Sequence, residues 1–575
     1  MKKFHMRELL LFAVILLCSY AYAQNNPISL QRKLTTKPGQ KPPPFNAKFN
    51  PTLKTTASPS LAPTVTDGVD VRIFPSSNVQ AEVIISINKS NPSNLLVSTN
   101  TLLGPFAYSQ GYYASLDGNL TWSGSDALQN IQAGKIDGDP SVAFSADNTA
   151  FLTTIAAGPF GTKGYWFQTS TDGGLNWSAG VKGDQGINFD KEMITSDNIA
   201  SSPHANNFYC TWTDFNSGNG AVAFNSSTDK GTTFTAKKIL RSGTVGFGQG
   251  CNVQTGPNGE VYVCWADHTT VASPFAADGM GFARSLDGGA TFTPAAVIFP
   301  YTGTRVDNTS SKYNFTRVND FPSMAVDKSN GARKGRIYIT YPEKNGTGNS
   351  VIKVRYSDNQ GATWSTDKVI SIPSAREAFF PWITIDDANG VVWVAYYALD
   401  QATGYSTNTY VAGSANGKKW SNFKVSDVPH ITAPIDNNNF ALGYAGDYIG
   451  IAAYNLKAYP TWMDNRNGTW QIYCSTVSVA TAFLKDADAV QPEITSAQKT
   501  NPLIVNPNPF SNSIKVSLGS TQIVSAKLYN QSGIVVKQWT NISGQLATAD
   551  VPKGIYFIKV TGKDGKTYTQ NIIKK

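Results

Sequence analysis

The 575-residue chain is poor in thiol, imidazole and thioether groups, with five Cys, four His and six Met. Past Cys18, the remaining Cys are spread from 210 to 474 with no Cys-x-x-Cys, and His204, His268 and His430 are equally scattered, so the spacing excludes a zinc site of the usual kind. Long apolar runs are missing after the first 23 residues, where nothing reaches the roughly 18 residues of a membrane span. Acidic residues are outnumbered, 39 against 48 Lys and Arg, for a net charge of +9. The excess belongs to the ends. Residues 501–575 hold nine Lys against Asp550 and Asp564, residues 24–65 hold six basic residues and no acid, and residues 1–23 add +2, which leaves the intervening chain at −6. A basic balance of this origin is no footprint of nucleic-acid binding, and none is expected.

What the chain does have is a recurring turn, close to Ser-x-Asp-x-Gly-x-x-Trp. It reads Ser115–Trp122, Ser170–Trp177, Ser227–Phe234, Ser285–Phe292, Ser357–Trp364 and, degraded, Gly413–Trp420. The closing aromatics are separated by 55, 57, 58, 72 and 56 residues, a period that signals a repeat architecture. In each copy the carboxylate or amide of Asp117, Asp172, Asp229, Asp287 or Asn359 can accept backbone N–H groups of its own turn, and glycine supplies positive φ. Trp122, Trp177, Trp364 and Trp420 are apolar plugs for the space between neighbouring sheets. Alternating segments such as Gly164–Thr169 and Val351–Tyr356 precede the turn, others follow it, and a second hairpin lies upstream. Four strands per repeat of about 55 residues predict an all-β propeller.

After the sixth turn the pattern appears once more, over Gly446–Val477, without a fourth strand. Val69–Phe74 can supply it, which predicts seven blades closed between the chain's two ends; six blades is the alternative. Closure leaves no unpaired edge.

The turn resembles the Asp-box, or BNR repeat, of sialidases and related β-propellers. In that family it is structural and lies on the face opposite the active site. The resemblance implies the scaffold over residues 66–483. The chain's ends resemble export signals. Residues 1–23 have Lys2, Lys3 and Arg7, an apolar stretch and Ala21-Tyr22-Ala23, as in a secretory signal peptide. Residues 24–65 form a Pro- and Lys-rich linker, and 484–500 a second one. Residues 501–575 resemble the type A C-terminal sorting domain of the Bacteroidetes type IX secretion system, through Asn506-Pro507-Asn508-Pro509-Phe510, Gly533, Gly554-Ile555-Tyr556 and Lys574-Lys575. This implies a small β-sandwich, handling by that secretion machinery, and release or display at the outer cell surface.

If the Asp-boxes mark the bottom, the opposite ends of the strands form the top. There the first strands of the repeats begin with Glu82, Asp139, Asp190-Lys191-Glu192, Asp320 and Asp447, and second strands end on Asp214, Asp267, Glu343 and Asp464. Such a ring of carboxylates can hold a calcium ion through oxygen ligands, or a cationic or polyhydroxylated ligand, though no cofactor is required. A close carboxylate pair would suit glycoside hydrolysis. The insertion Pro300–Val318 carries Tyr301, Tyr313 and Phe315 as an aromatic lip. Cys251 and Cys264 flank Gly256-Pro257-Asn258-Gly259 symmetrically, which allows a disulfide across the hairpin or two buried thiols. The sialidase resemblance calls for three arginines, a Tyr–Glu pair and an Asp. Arg72, in Val71-Arg72-Ile73-Phe74-Pro75, departs from that family's Arg-Ile-Pro motif by one inserted residue. Arg317, Arg376 and Arg466 are the other top-face candidates, while Arg284 and Arg355 precede boxes. The expectation is therefore a secreted or surface propeller that binds glycans or proteins through its top face; the alternative is a sialidase-like exo-glycoside hydrolase, with Asp139, Asp190, Glu192, Asp320, Asp447, Arg317 and Arg466 as its candidates.

Overall fold

A computed structural model describes residues 65–104, 107–131, 135–157, 163–186, 188–435, 443–479, 503–519, 521–530, 535–540, 542, 545–563 and 565–575. The signal peptide, nearly all of the first linker, the second linker and Gly533 lie outside the described residues. The chain divides into two compact units, Met1–Ile494 and Thr495–Lys575.

In the larger unit, strand follows strand in simple antiparallel meanders. Six sheets of four strands begin at Val79–Ile87, Lys135–Phe144, Phe189–Ser196, Phe247–Thr255, Ser323–Val326 and Glu377–Ile385, the sixth with an extra short strand, His430–Ile431, on its third. A further sheet starts at Gly450–Tyr454. Each of these inner strands contacts the next, and Gly450–Tyr454 returns to Val79–Ile87, so the inner strands encircle a channel in the manner of a β-propeller. The last sheet draws on both ends of the unit. Val71–Arg72 pairs with Gln471–Cys474, and Val65–Asp67 with Val477–Val479. The strand expected over Val69–Phe74 is thus only two residues long, and Val69 stands exposed.

The boxes join third to fourth strands, as between Tyr108–Ser115 and Ser123–Ser125. Asp117 Oδ1 accepts the backbone N–H of Leu120 at 3.1 Å and of Thr121 at 2.9 Å, and Ser115 Oγ donates to the same oxygen at 2.8 Å. Asp172, Asp229, Asp287 and Asn359 repeat this bonding. Each plug packs on the preceding sheet. Trp177 meets Tyr112 edge-on with ring centres 6.1 Å apart, Phe292 meets Phe224 at 4.8 Å, and Trp364 meets Phe282 at 5.4 Å. Trp122 closes the circle against the core that holds Tyr459 and Tyr473, and Trp420 packs beside Tyr338.

Cys251 and Cys264 are free thiols, and both are buried. The symmetry argument fails by one residue. The register pairs Cys264 with Asn252 and Thr255 with Val261, around a five-residue loop with a bulge between Gln249 and Asn252. A one-residue shift reverses the face a side chain occupies. Cys251 accordingly packs with Tyr209 and Val253, and Cys264 with Met280 and Ile339, in different apolar clusters.

In the smaller unit, a three-stranded sheet (Leu503–Asn506, Ser513–Leu518, Gln545–Ala547) and a four-stranded sheet ending at Thr567–Lys574 share one apolar core, with Phe510, Ile514, Leu528, Ile558 and Ile572 at its centre. The Asn-Pro-Asn-Pro-Phe segment is stitched to the terminal strand, where Asn508 Oδ1 accepts the N–H of Ile573 at 2.9 Å and Phe510 N donates to Ile573 O at 2.7 Å.

Candidate functional site

Bulges at the top of the first three inner strands build the centre of the top face. The pairing shifts between Ala81 and Ile84, Gly138 and Ser141, and Asp190 and Met193. Each shift holds a charged residue in the left-handed region, Glu82 at φ 53°, Asp139 at 56° and Lys191 at 55°. Such a conformation costs a non-glycine residue of order 1 kcal/mol or more, and a bulge takes a side chain out of the two-residue alternation. Here it turns three charges toward one another.

Lys191 is the hub. Its Nζ lies 2.8 Å from Glu82 Oε1, 3.0 Å from Asp139 Oδ1 and 2.9 Å from Asp447 Oδ2. Arg317 Nη2 reaches the same Asp447 oxygen at 2.7 Å. Asn100 Nδ2 donates to Glu82 Oε2 at 2.8 Å and to Tyr444 Oη at 2.9 Å, and its Oδ1 accepts the Asp139 N–H. The rings of Tyr448 and Tyr444 lie under the Lys191 and Arg317 charges. Three carboxylates against two cations leave one negative charge over. Glu82, fully buried, is the acid whose pKa burial pushes well above the usual range, against the opposing pull of Lys191. Burial also acts on Asp447, but Arg317 and Lys191 outweigh it and hold that carboxyl well below the usual range. Lys191 loses by burial and gains more from Asp139, Asp447 and Glu82, so its ammonium is retained far into alkaline pH.

Beside the hub lie the partly exposed Asp190 and Arg305 and the buried Gln249. Burial, with the neighbouring Asp139 charge, raises the Asp190 pKa to about 6, whereas Asp139 is held below its usual value because Lys191 overcomes its burial. Gln249 Nε2 donates to Asp190 Oδ2, and Arg305 Nη1 donates to Gln249 Oε1 at 2.7 Å. The Arg305 guanidinium lies 5.9 Å from the centre of the Phe275 ring. Arg305, Gln249, Tyr444 and Tyr448 were not singled out from the sequence. The signal was weak, since only Arg305 is charged and it stands in a long insertion rather than at a strand start.

Other expected residues have structural duties. Asp267 Oδ2 accepts Trp265 Nε1 at 2.8 Å and Arg241 Nε at 2.8 Å; Asp464 Oδ2 likewise accepts Trp462 Nε1 at 3.1 Å and Arg466 Nε at 2.8 Å. Asp214 is paired with Lys237 at 2.6 Å and Glu343 with Lys353 at 2.8 Å. Each of these strand-end carboxylates thus has a cationic partner within the protein. Asp320 is buried and accepts the Ala277 N–H at 2.8 Å. Glu192 is fully buried, with neither carboxylate oxygen hydrogen-bonded. Two of the insertion's three aromatics turn inward. Tyr301 donates to Asp320 O at 3.0 Å and Tyr313 to Glu377 Oε2 at 2.9 Å, both inside the protein, because the insertion reaches across to the sixth sheet, where Tyr313 also meets the Phe379 ring; of the three aromatics only Phe315, 52% exposed, faces outward.

The arginines are likewise occupied. Arg72 donates to Gln471 Oε1 and Ser76 O, Arg376 to Gly404 O, and Arg466 is shared between Asp464 and Asp70. Arg284 donates to Gln360 O, and Arg355 pairs with Asp367. Lys191 fills the centre of the expected carboxylate ring, and among the described residues no group of three or more His, Cys, Asp or Glu side chains is placed to hold a metal ion. No helix among them is long and apolar enough to cross a membrane.

Residues 505–575 match the family model described as a secretion system C-terminal sorting domain. That match points to export by the type IX secretion system, to the cell surface or beyond. No curated protein matches the sequence. Among solved structures, a protein of unknown function from Dyadobacter fermentans is 15% identical, with a TM-score of 0.41 over 73% of this chain and 100% of that one. An α-L-arabinofuranosidase from Fusarium graminearum is 12% identical, with a TM-score of 0.41 over 58% and 94%. An intramolecular trans-sialidase from Ruminococcus gnavus is 12% identical, with a TM-score of 0.36 over 73% and 99%.

Proposed function

We propose that the chain is a secreted or surface-displayed seven-bladed Asp-box propeller, followed by a small sorting sandwich, that binds a glycan or protein through its top face. The observation that carries this reading is the hub around Lys191. Its charged groups pair with one another within the protein, and beside it the partly exposed Asp139, Asp190 and Arg305 and the buried Gln249 stand together at one mouth. A preorganised set of donors and acceptors gains affinity because little ordering remains to be done on binding. A glycan array and a surface-protein panel probed with the exported protein test it. Saturable binding that Arg305→Ala or Gln249→Ala weakens supports the reading, and binding unaffected by either variant overturns the assignment to this mouth.

A second reading rests on one observation. Asp139 and Asp190 are neighbouring carboxyls whose pKa values are shifted in opposite directions, the pattern of a general acid beside an ionised partner. It supports a glycoside hydrolase. A sialidase-type grip has less support, because Arg317, Arg376 and Arg466 are already engaged by protein groups. Incubation with fluorogenic glycosides, a sialoside among them, separates the readings. Hydrolysis abolished by Asp190→Asn establishes the enzyme, and inactivity across the panel removes it for those substrates.

A further inference from the structure

The channel has a second polar end, on the side of the Asp-boxes. There the inner strands enclose a cavity of about 150 Å³, lined along its walls by residues such as Ile85, Val142, Ile194 and Ile383. Its lower mouth is made by the turns after the inner strands. Lys89 comes from the first sheet, Asn198 from the third, Lys328 from the fifth and Asp387 from the sixth.

The two lysines differ. Lys89 is ion-paired with Asp387. Lys328 Nζ donates to two neutral acceptors, Thr255 Oγ1 at 2.7 Å and Asn198 Oδ1 at 3.2 Å, and forms no carboxylate ion pair among the described residues. The nearby acids are engaged elsewhere. Asp197 accepts Ile199 N and Ser202 Oγ; Asp386 accepts the N–H groups of Ala388, Asn455 and Leu456; Glu260 accepts Asn258. An ammonium withdrawn from water without a counter-charge is costly, and the cost is relieved by losing the proton or by taking up an anion. Burial brings the Lys328 pKa down to about 8, with Asp197 and Glu260 opposing, and the Lys89 pKa well below its usual value, with Lys328 contributing.

We propose that the lower mouth of the channel is an anion site, in which Lys328, backed by Lys89, takes a small oxyanion of the carboxylate or phosphate kind. The third Lys328 N–H is the donor left over, and the adjoining cavity supplies the volume. This site lies at the opposite end of the channel from the Lys191 hub and does not depend on the reading of the top face.

Titration calorimetry and thermal shift on the full chain at pH 7 test it, with inorganic phosphate and acetate as probes and chloride at equal ionic strength as the control. Saturable stabilisation by phosphate, by acetate or by both, absent with chloride, is expected, and the more effective probe identifies the anion. Lys328→Gln should weaken it about tenfold, the loss of one charge-assisted hydrogen bond, while Lys368→Gln, on an exposed outer strand, leaves it unchanged. Affinity should fall as pH rises through about 8, where Lys328 loses its proton. Without anion, Lys328→Gln should melt no lower than the parent, since it removes an uncompensated charge; a lysine needed only to tie Thr255 to Asn198 would melt lower when replaced. No saturable effect of either probe, equal binding by Lys328→Gln, or equal stabilisation by chloride overturns the proposal.

Discussion

Lys191 is the side chain on which the top face depends most. Replacing it with Met strands Glu82, Asp139 and Asp447 around an apolar stem, and breaking a buried ion pair from one side costs about 3–5 kcal/mol. Urea unfolding at pH 7 should show that loss, and a smaller one at pH 5, where the stranded carboxyls regain protons. Glu82 gives the opposite sign. Its pKa is raised in the fold, so the folded protein binds the proton more tightly than the unfolded chain. Stability from this group is present below about pH 4.5, its unfolded value, and is lost as pH rises through the folded value. Glu82→Gln should therefore flatten the fall in midpoint on the alkaline side, read by thermal denaturation across pH 5–9. The sequence displayed these charges at strand starts, and a ring of acids was legible from them. The cation inside the ring was not, because its position follows from bulges that shift the pairing by a residue, and no period in the sequence marks a bulge. The same one-residue sensitivity separated Cys251 from Cys264.

At the scale of the element, the recurring Ser-x-Asp-x-Gly turn was the most legible feature, since a local turn carries its own hydrogen-bond partners. Its glycine does two things. In the fifth box Gly361 has φ +82°, and a Cβ placed there would come within 2.3 Å of the Phe282 ring on the preceding sheet. Gly361→Ala should cost at least about 1 kcal/mol, since both the backbone and the contact resist the methyl; denaturant midpoints measure it. Asp287 shows how the turn responds to acid. Hydrogen bonds from Ser285 and Thr291 lower its pKa to about 2, so its contribution, present above about pH 4, is lost as pH falls through about 2. Asp287→Asn should remove that part of the acid transition. The Trp-x-Asp strand ends were legible only in part. Their carboxylates answer an indole N–H two residues back and an arginine, which for Asp464 is Arg466 two residues on and for Asp267 is Arg241, 26 positions away. Sequence spacing reveals the Trp-x-Asp pair and the nearby Arg466, but not the distant Arg241 that completes the pair at Asp267.

For the whole molecule, ring closure is the feature with the largest leverage. A chain beginning at residue 75 lacks Val71–Arg72 and the Asp70 partner of Arg466, and leaves Gln471–Cys474 as an open edge. Size-exclusion chromatography should find it aggregated or markedly less stable than the parent. Cys210, Cys251, Cys264 and Cys474 should all alkylate under denaturing, non-reducing conditions, since each is a free buried thiol; mass spectrometry counts the adducts.

Closure also imposes an order in time. Arg72 meets Gln471 across 399 positions of sequence. The earliest strand of the propeller waits, unpaired, until nearly the whole unit has been made and passed along. Contacts so distant in sequence are slow to form. During synthesis, the growing set of sheets is therefore an open arc with two sticky ends, and the moment at which it becomes a ring is set by the arrival of the final hairpin.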